Sequence, residues 1–362
     1  LISIEDLCKL LWAKKMPEQA RRDITDSISL AWHVVYAHIQ HCKYGELDVA
    51  YCPLCFKEPT EASICPYEID SCATSLAISI LTTRKDSLDA REKSIIKNCC
   101  KLLLKFREPS GGWPSIVSLS PSRIFDKIEG TINDTYYALD ALTRAGLPNY
   151  SNDILELDVE EQLDILYGSI QWFLNNRLHN AWYYTELEFL DQEDLLMKRP
   201  AILPTTSVIV LFGKIAPILD EFNKKLDEHK SQQENISQLI ERNKKLCEEI
   251  KEAFDKAIEW VIASQNRDGG YGEFPGSETR VTNSALVLKA LLLDETVTSF
   301  ECSKKILNRI LQEDPASIEA LSDEDVFERY DQIMVINEKA KREQCEDRLF
   351  MKNLLKVYFF RS

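Results

Sequence analysis

One stretch of this chain has the residue types and spacing for metal chemistry. It is Cys52-Pro53-Leu54-Cys55, followed by Cys65, with His41-Cys42 before it and Cys72 after it. Cys-x2-Cys is the turn of a zinc knuckle, where backbone amides support two thiolates on one metal. Cys52, Cys55 and Cys65, joined by Cys42, His41 or Cys72, would make a four-ligand set for a structural zinc. Loop 43–68 carries little other apolar material, so a metal could serve as its core. Against that set, no second Cys-x2-Cys completes it and Phe56 stands where glycine often does. Reduced, metal-free thiols are the competing reading.

The elements around this loop read as helices, because apolar residues recur with helical period and strand-type alternation is nearly absent. Helices are expected at 3–15, 24–42, 69–83, 87–107, 132–146, 157–177, 204–215, 218–265, 281–294, 298–313, 329–340 and 343–360. A recurring start marks every second one: Asp70-Ser71, Asp134-Thr135, Thr206-Ser207, Asn283-Ser284 and, more loosely, Asp331-Gln332. Such residues suit N-caps, since their side chains accept from free backbone N–H groups. The loops entering these helices are long and those leaving them mostly short. That alternation puts the caps and long loops at one end of a ring of helix pairs.

From Leu219 to Phe254 a 3-4 spacing runs through Leu226, Ile236, Ile240, Asn243 and Ile250, with lysine and glutamate between. This heptad pattern with a polar middle predicts a coiled-coil-like extension over about 218–258. It is either one projecting helix or a hairpin folded back near Ser231–Ser237.

The whole chain bounds the function. It has 362 residues, a net charge of −15 and eleven cysteines. No basic stripe appears, which disfavours nucleic acid as a partner. No run of about 20 apolar residues stands out, so no transmembrane segment is expected. Without a secretory segment the cysteines read as reduced thiols of a cytoplasmic protein. The chain opens inside a helical pattern, Ile2-Ser3-Ile4-Glu5, and reads as part of a longer protein. No linker divides it, so one domain over 1–362 is expected.

The stretch Lys256 to Tyr271 (KAIEWVIASQNRDGGY) ends a helix at Gln265 and stops it with Gly269-Gly270. Its spacing resembles the QW repeat of terpenoid cyclases and protein prenyltransferase β subunits, with Tyr271 where tryptophan is usual. Looser copies run through Leu102, Leu103, Arg107, Gly111 and Trp113, and through Trp172, Phe173, Arg177, Ala181 and Tyr183. The resemblance implies an all-α fold, an (α/α)6 toroid of inner and outer helices, in which the repeat ends an outer helix and ties it to its neighbours.

The resemblance also implies where chemistry would sit. Thr131-Ile132-Asn133-Asp134-Thr135 resembles the Asp-x-Asp-Asp-Thr element of class II terpenoid cyclases, whose middle aspartate protonates an alkene or epoxide. Here that position is Asn133, and an amide cannot donate a proton in that way. Asp134 survives as the catalytic candidate, with an N-cap as its ordinary role. The prenyltransferase branch implies zinc on an Asp-x-Cys pair and a histidine of the next inner helix. Asp70-Ser71-Cys72 resembles the pair, but Asp134 stands near the histidine position. Tyr136 and Tyr137 are the candidate cavity aromatics, since ring faces stabilise cations. Asp70, Cys72, Asn133, Thr206 and Asn283 would line the same end of the ring. Two functions follow. One is an isoprenoid-handling enzyme with a prenyl chain in its cavity. The other, favoured by the lost acid and missing histidine, is a non-catalytic scaffold, sensor or protein-interaction domain. Its partner would be another protein or the rest of a longer chain.

Overall fold

The computed structural model describes residues 29–309, apart from 31, 45, 53–67, 84–87, 115, 119–129, 149–153, 185–198, 229–235, 295, 297, 300, 304 and 307–308. The helices expected at 3–15, 329–340 and 343–360 and the start at Asp331-Gln332 lie outside these residues. A short helix α1 covers 29–38. Then come β1 (Gln40–Tyr44), β2 (Leu47–Tyr51), β3 (Glu68–Asp70), α2 (Ser71–Leu81), α3 (Ala90–Phe106), β4 (Ile116–Ser118), α4 (Ile132–Ala145) and α5 (Val159–Asn175). They are followed by α6 (Ile202–Glu228), α7 (Ile236–Ala263) and α8 (Val281–Leu291). Described residues of 298–309 are again helical.

The fold class is all-α, as the helical period predicts. The strands make two small antiparallel pairs. One is a hairpin, Gln40↔Tyr51 to Tyr44↔Leu47. The other joins Glu68–Asp70 to Ile116–Ser118 and ties the approach to α2 to the chain after Trp113. The helix expected to reach residue 42 therefore stops at 38. The hairpin buries Val49 and Tyr51 against Leu102 and Phe106 of α3, a gain that a longer α1 would forfeit.

Contacts divide the chain into two compact units. One holds 32–200 and 211–255; the other holds 201–210 and the residues from Lys256 on. In the first, α2 packs along α4, α3 packs on α2, and α5 lies against α4. That is the alternation expected of paired inner and outer helices. α3 and α5 start with capping boxes. Asp89 and Glu92, like Asp158 and Glu161, exchange side-chain and backbone hydrogen bonds of 2.7–3.0 Å. Gly146 ends α4 in the left-handed conformation, φ 114°.

The break expected between 215 and 218 does not occur. α6 runs through Pro217, which is exposed and follows Gly213 by four positions. The carbonyl that the proline cannot bond then belongs to the smallest of residues and lies near water. The helix ends at Glu228 instead, and α7 begins at Ile236. Of the two expected forms of the heptad segment, the described helices take the hairpin form. Leu219, Phe222 and Leu226 are buried on α6, and Ile236, Ile240, Leu246 and Ile250 on α7. Asn243 Nδ2 donates to Asn223 Oδ1 at 3.0 Å, both residues being buried. α7 is also held to α5, where Arg242 pairs with Asp164 at 2.7 Å and stacks 4.3 Å from the Tyr167 ring.

The asparagine pair yields a stability prediction. Asn243→Leu leaves Asn223 buried without this partner and is expected to cost about 1–3 kcal/mol. Adding Asn223→Leu should restore most of it, because two apolar side chains leave nothing unsatisfied. A double-mutant cycle by urea unfolding reads the coupling, and strict additivity would contradict the contact.

α6 is a described helix long and apolar enough to cross a membrane by length and composition. Val208, Ile209, Leu211, Phe212 and Leu219 are buried in the protein, so here it is a core helix.

In the other unit the end of α7 is clamped. Gln265 Nε2 donates to Gly269 O (2.9 Å) and to Cys302 O (3.2 Å). Asn266 Nδ2 reaches Ser277 O and Thr279 Oγ1. Tyr271 is fully buried, and its hydroxyl lies 3.1 Å from Cys302 Sγ.

Candidate functional site

The residues predicted from sequence fall near helix starts, those of α2 and α4 in one unit and those of α6 and α8 in the other, and these starts are built alike. The first helical residue is Ser71, Ile132, Ile202 or Val281, and the fourth carries a buried hydroxyl: Thr74, Thr135, Thr205 or Ser284. In α4, α6 and α8 the N–H of that fourth residue makes the first helical bond, to Thr131 O, Ala201 O or Arg280 O. In α2, α4 and α8 the hydroxyl also serves the preceding loop, while in α6 the Thr205 hydroxyl donates to Ala201 O (2.7 Å). Trp113 N donates to Thr135 Oγ1 (2.9 Å), Tyr271 N to Ser284 Oγ (2.9 Å), and Cys52 N to Thr74 Oγ1 (3.3 Å). The return bonds match, with Thr131 N donating to Trp113 O (2.9 Å) and Arg280 N to Tyr271 O (2.8 Å).

The aromatics in these loops follow hairpin turns closed by paired backbone bonds. Glu108 N meets Gly112 O and Asn266 N meets Gly270 O, while the middle copy, Leu178 with Ala181, is one residue shorter. Trp113 Nε1 donates back to Leu103 O (2.7 Å) and Trp182 Nε1 to Phe173 O (2.8 Å). The aromatic of the middle copy is therefore Trp182, not Tyr183. The one-residue deletion in the turn moved it out of the expected register.

This construction corrects the predicted caps. Thr131, not Asp134, caps α4: its φ and ψ are −103° and 155°, and its Oγ1 accepts from Asp134 N at 3.0 Å. Asp134 is the third residue of the helix, 5% exposed, and its Oδ2 accepts from the Thr131 hydroxyl. Thr206 is no cap either. It lies five residues into α6 and its hydroxyl donates to Ile202 O at 2.7 Å. The position equivalent to Asp134 is Ala73 in α2, Pro204 in α6 and Asn283 in α8. Asn283 is buried, and its Nδ2 donates to Gly272 O at 2.8 Å, holding the loop of its own helix.

The remaining predicted residues fall around these starts. Asn133 is half-buried on the first turn of α4. Tyr136 and Tyr137 are half-buried and meet edge to face, centroids 5.0 Å apart. Cys72 is half-buried on the first turn of α2 and is in no disulfide. The side chain of Asp70 lies outside the described residues, as do the side chain of Cys42 and all of Cys55 and Cys65. Among the described residues no group of three or more His, Cys, Asp or Glu side chains is placed to hold a metal ion. Cys52 is buried beside α3, where burial, with the nearby Cys100 and Cys52 thiols, raises the Cys99 thiol well above its ordinary range. Burial likewise raises Cys100, so these thiols are poor nucleophiles.

A cleft of about 190 Å³ opens on Thr143, Gly146, Leu147, Pro148, Ile218 and Phe222, with the Glu221–Lys225 ion pair at its side. It sits at the far end of α4 from Asp134, about 18 Å along the helix axis. The carboxylate and the cleft do not form one site.

Asp134→Asn tests the role left to that carboxylate. An amide oxygen still accepts from Thr131, and the charge near the helix N-terminus is lost. The expected cost is about 0.3–1 kcal/mol, read as a small drop in Tm. A loss above about 2 kcal/mol would show that the carboxylate does more than support the Thr131 cap.

The repeated hydroxyl is the feature that sequence reading missed. Asp134-Thr135 and Asn283-Ser284 displayed it. Aligning the other two starts on Ser71 and Ser207, instead of Thr74 and Thr205, hid the common fourth position.

No family model matches the chain, and no curated protein matches it. Among solved structures, a type II terpene cyclase from Scytonema, in complex with geranylgeranyl dihydroxybenzoate, aligns at 11% identity and a TM-score of 0.29. The alignment covers 79% of this chain and 78% of that one. A likeness at that score carries no argument for fold or chemistry.

Proposed function

We propose that this chain is a non-catalytic helical domain of terpenoid-cyclase-like toroid design, serving as a scaffold or interaction domain for a protein partner or for the rest of a longer chain. The observation that carries this reading is the start of α4. Asn133 stands where the resemblance places the proton donor, and the neighbouring Asp134 has its carboxylate engaged by the capping hydroxyl of Thr131. That bond is ordinary for a carboxylate at a helix start, and the amide of Asn133 has no acidic proton to give. The competing reading, an isoprenoid-handling enzyme, draws on Tyr136 and Tyr137, two half-buried rings within a turn of Asp134. Zinc at Cys52, Cys55 and Cys65 would be structural in either case.

The test is incubation with squalene and with prenyl diphosphates, followed by analysis for cyclic products. The expected result is none above a no-protein control. Turnover that Asp134→Asn abolishes, with Tm unchanged, would overturn the scaffold reading and make Asp134 catalytic.

A further inference from the structure

We draw no further inference here: the strongest candidate, the partly exposed apolar stripe Cys72, Leu76 and Ile80 along α2, carries nothing because nothing in the structure shows what covers it.

Discussion

Trp113→Ala is expected to lower the unfolding free energy by about 3–5 kcal/mol, as large-to-small substitutions of buried aromatics do. The indole is 0% exposed, so the substitution removes its whole buried area and leaves a cavity. It also removes the Nε1 bond to Leu103 O, which fastens the loop to the end of α3. The backbone of Trp113 continues to serve Thr131 and Thr135, so the loss comes from the side chain alone. Trp113→Phe separates the terms. It keeps most of the area but not the donor, and Leu103 O retains the Arg107 N–H at 3.1 Å. Its cost should be about 1–2 kcal/mol. Urea unfolding with unchanged m-values measures both. A loss under about 1 kcal/mol for Trp113→Ala would show that the loop does not anchor α3 to α4.

Gly111→Ala should be nearly as damaging, for a different reason. Gly111 has φ +108°, and a Cβ there would fall 2.2 Å from Gly168 O and 2.6 Å from Gly168 C on α5. Both are backbone atoms, so no rotamer change relieves the clash, and the turn must move off α5. Backbone strain and overpacking together predict a loss of about 2–5 kcal/mol. Gly276 supplies the control. Its φ is +78°, but nothing lies within 4 Å of the added Cβ, so Gly276→Ala should show the strain alone, about 1–2 kcal/mol. Equal losses at the two positions would mean that the close approach of the turn to α5 contributes nothing.

These two sites also show why the candidate site was only partly legible. Gly111 and Trp113 are legible in the sequence as the glycine and aromatic of a looser repeat copy, because both lie within a few residues of one helix end. Gly168 is not legible in that way. It sits within α5, and its absent side chain is explained by Arg107, whose guanidinium would lie 2.1 Å from an added Cβ. Asp134 was recognised as a helix-start residue but placed in the capping role. The choice between Thr131 and Asp134 depends on where the chain leaves extended geometry, and that is set by the bond from Thr131 N to Trp113 O, eighteen positions back. Trp182 was missed in favour of its neighbour because a turn one residue shorter shifts the register without altering residue type.

Helical class, approximate helix order, the stop at Gly269-Gly270 and the polar middle of the heptad stripe followed from the sequence by itself. Each is local: period, cap chemistry and glycine act within one or two turns of chain. Tertiary structure decided the rest. Whether the heptad stripe would run on or fold back was settled where Asn223 met Asn243, twenty positions apart, and Arg242 met Asp164. Whether Pro217 would end a helix depended on Gly213 and on the exposure of that face. The fourth-residue hydroxyls became a repeated latch only when Cys52, Trp113 and Tyr271 brought their backbone N–H groups to Thr74, Thr135 and Ser284. A hydroxyl on a helix can bond its own carbonyl or a foreign amide, and the spacing of residues along one strand of chain does not choose between them.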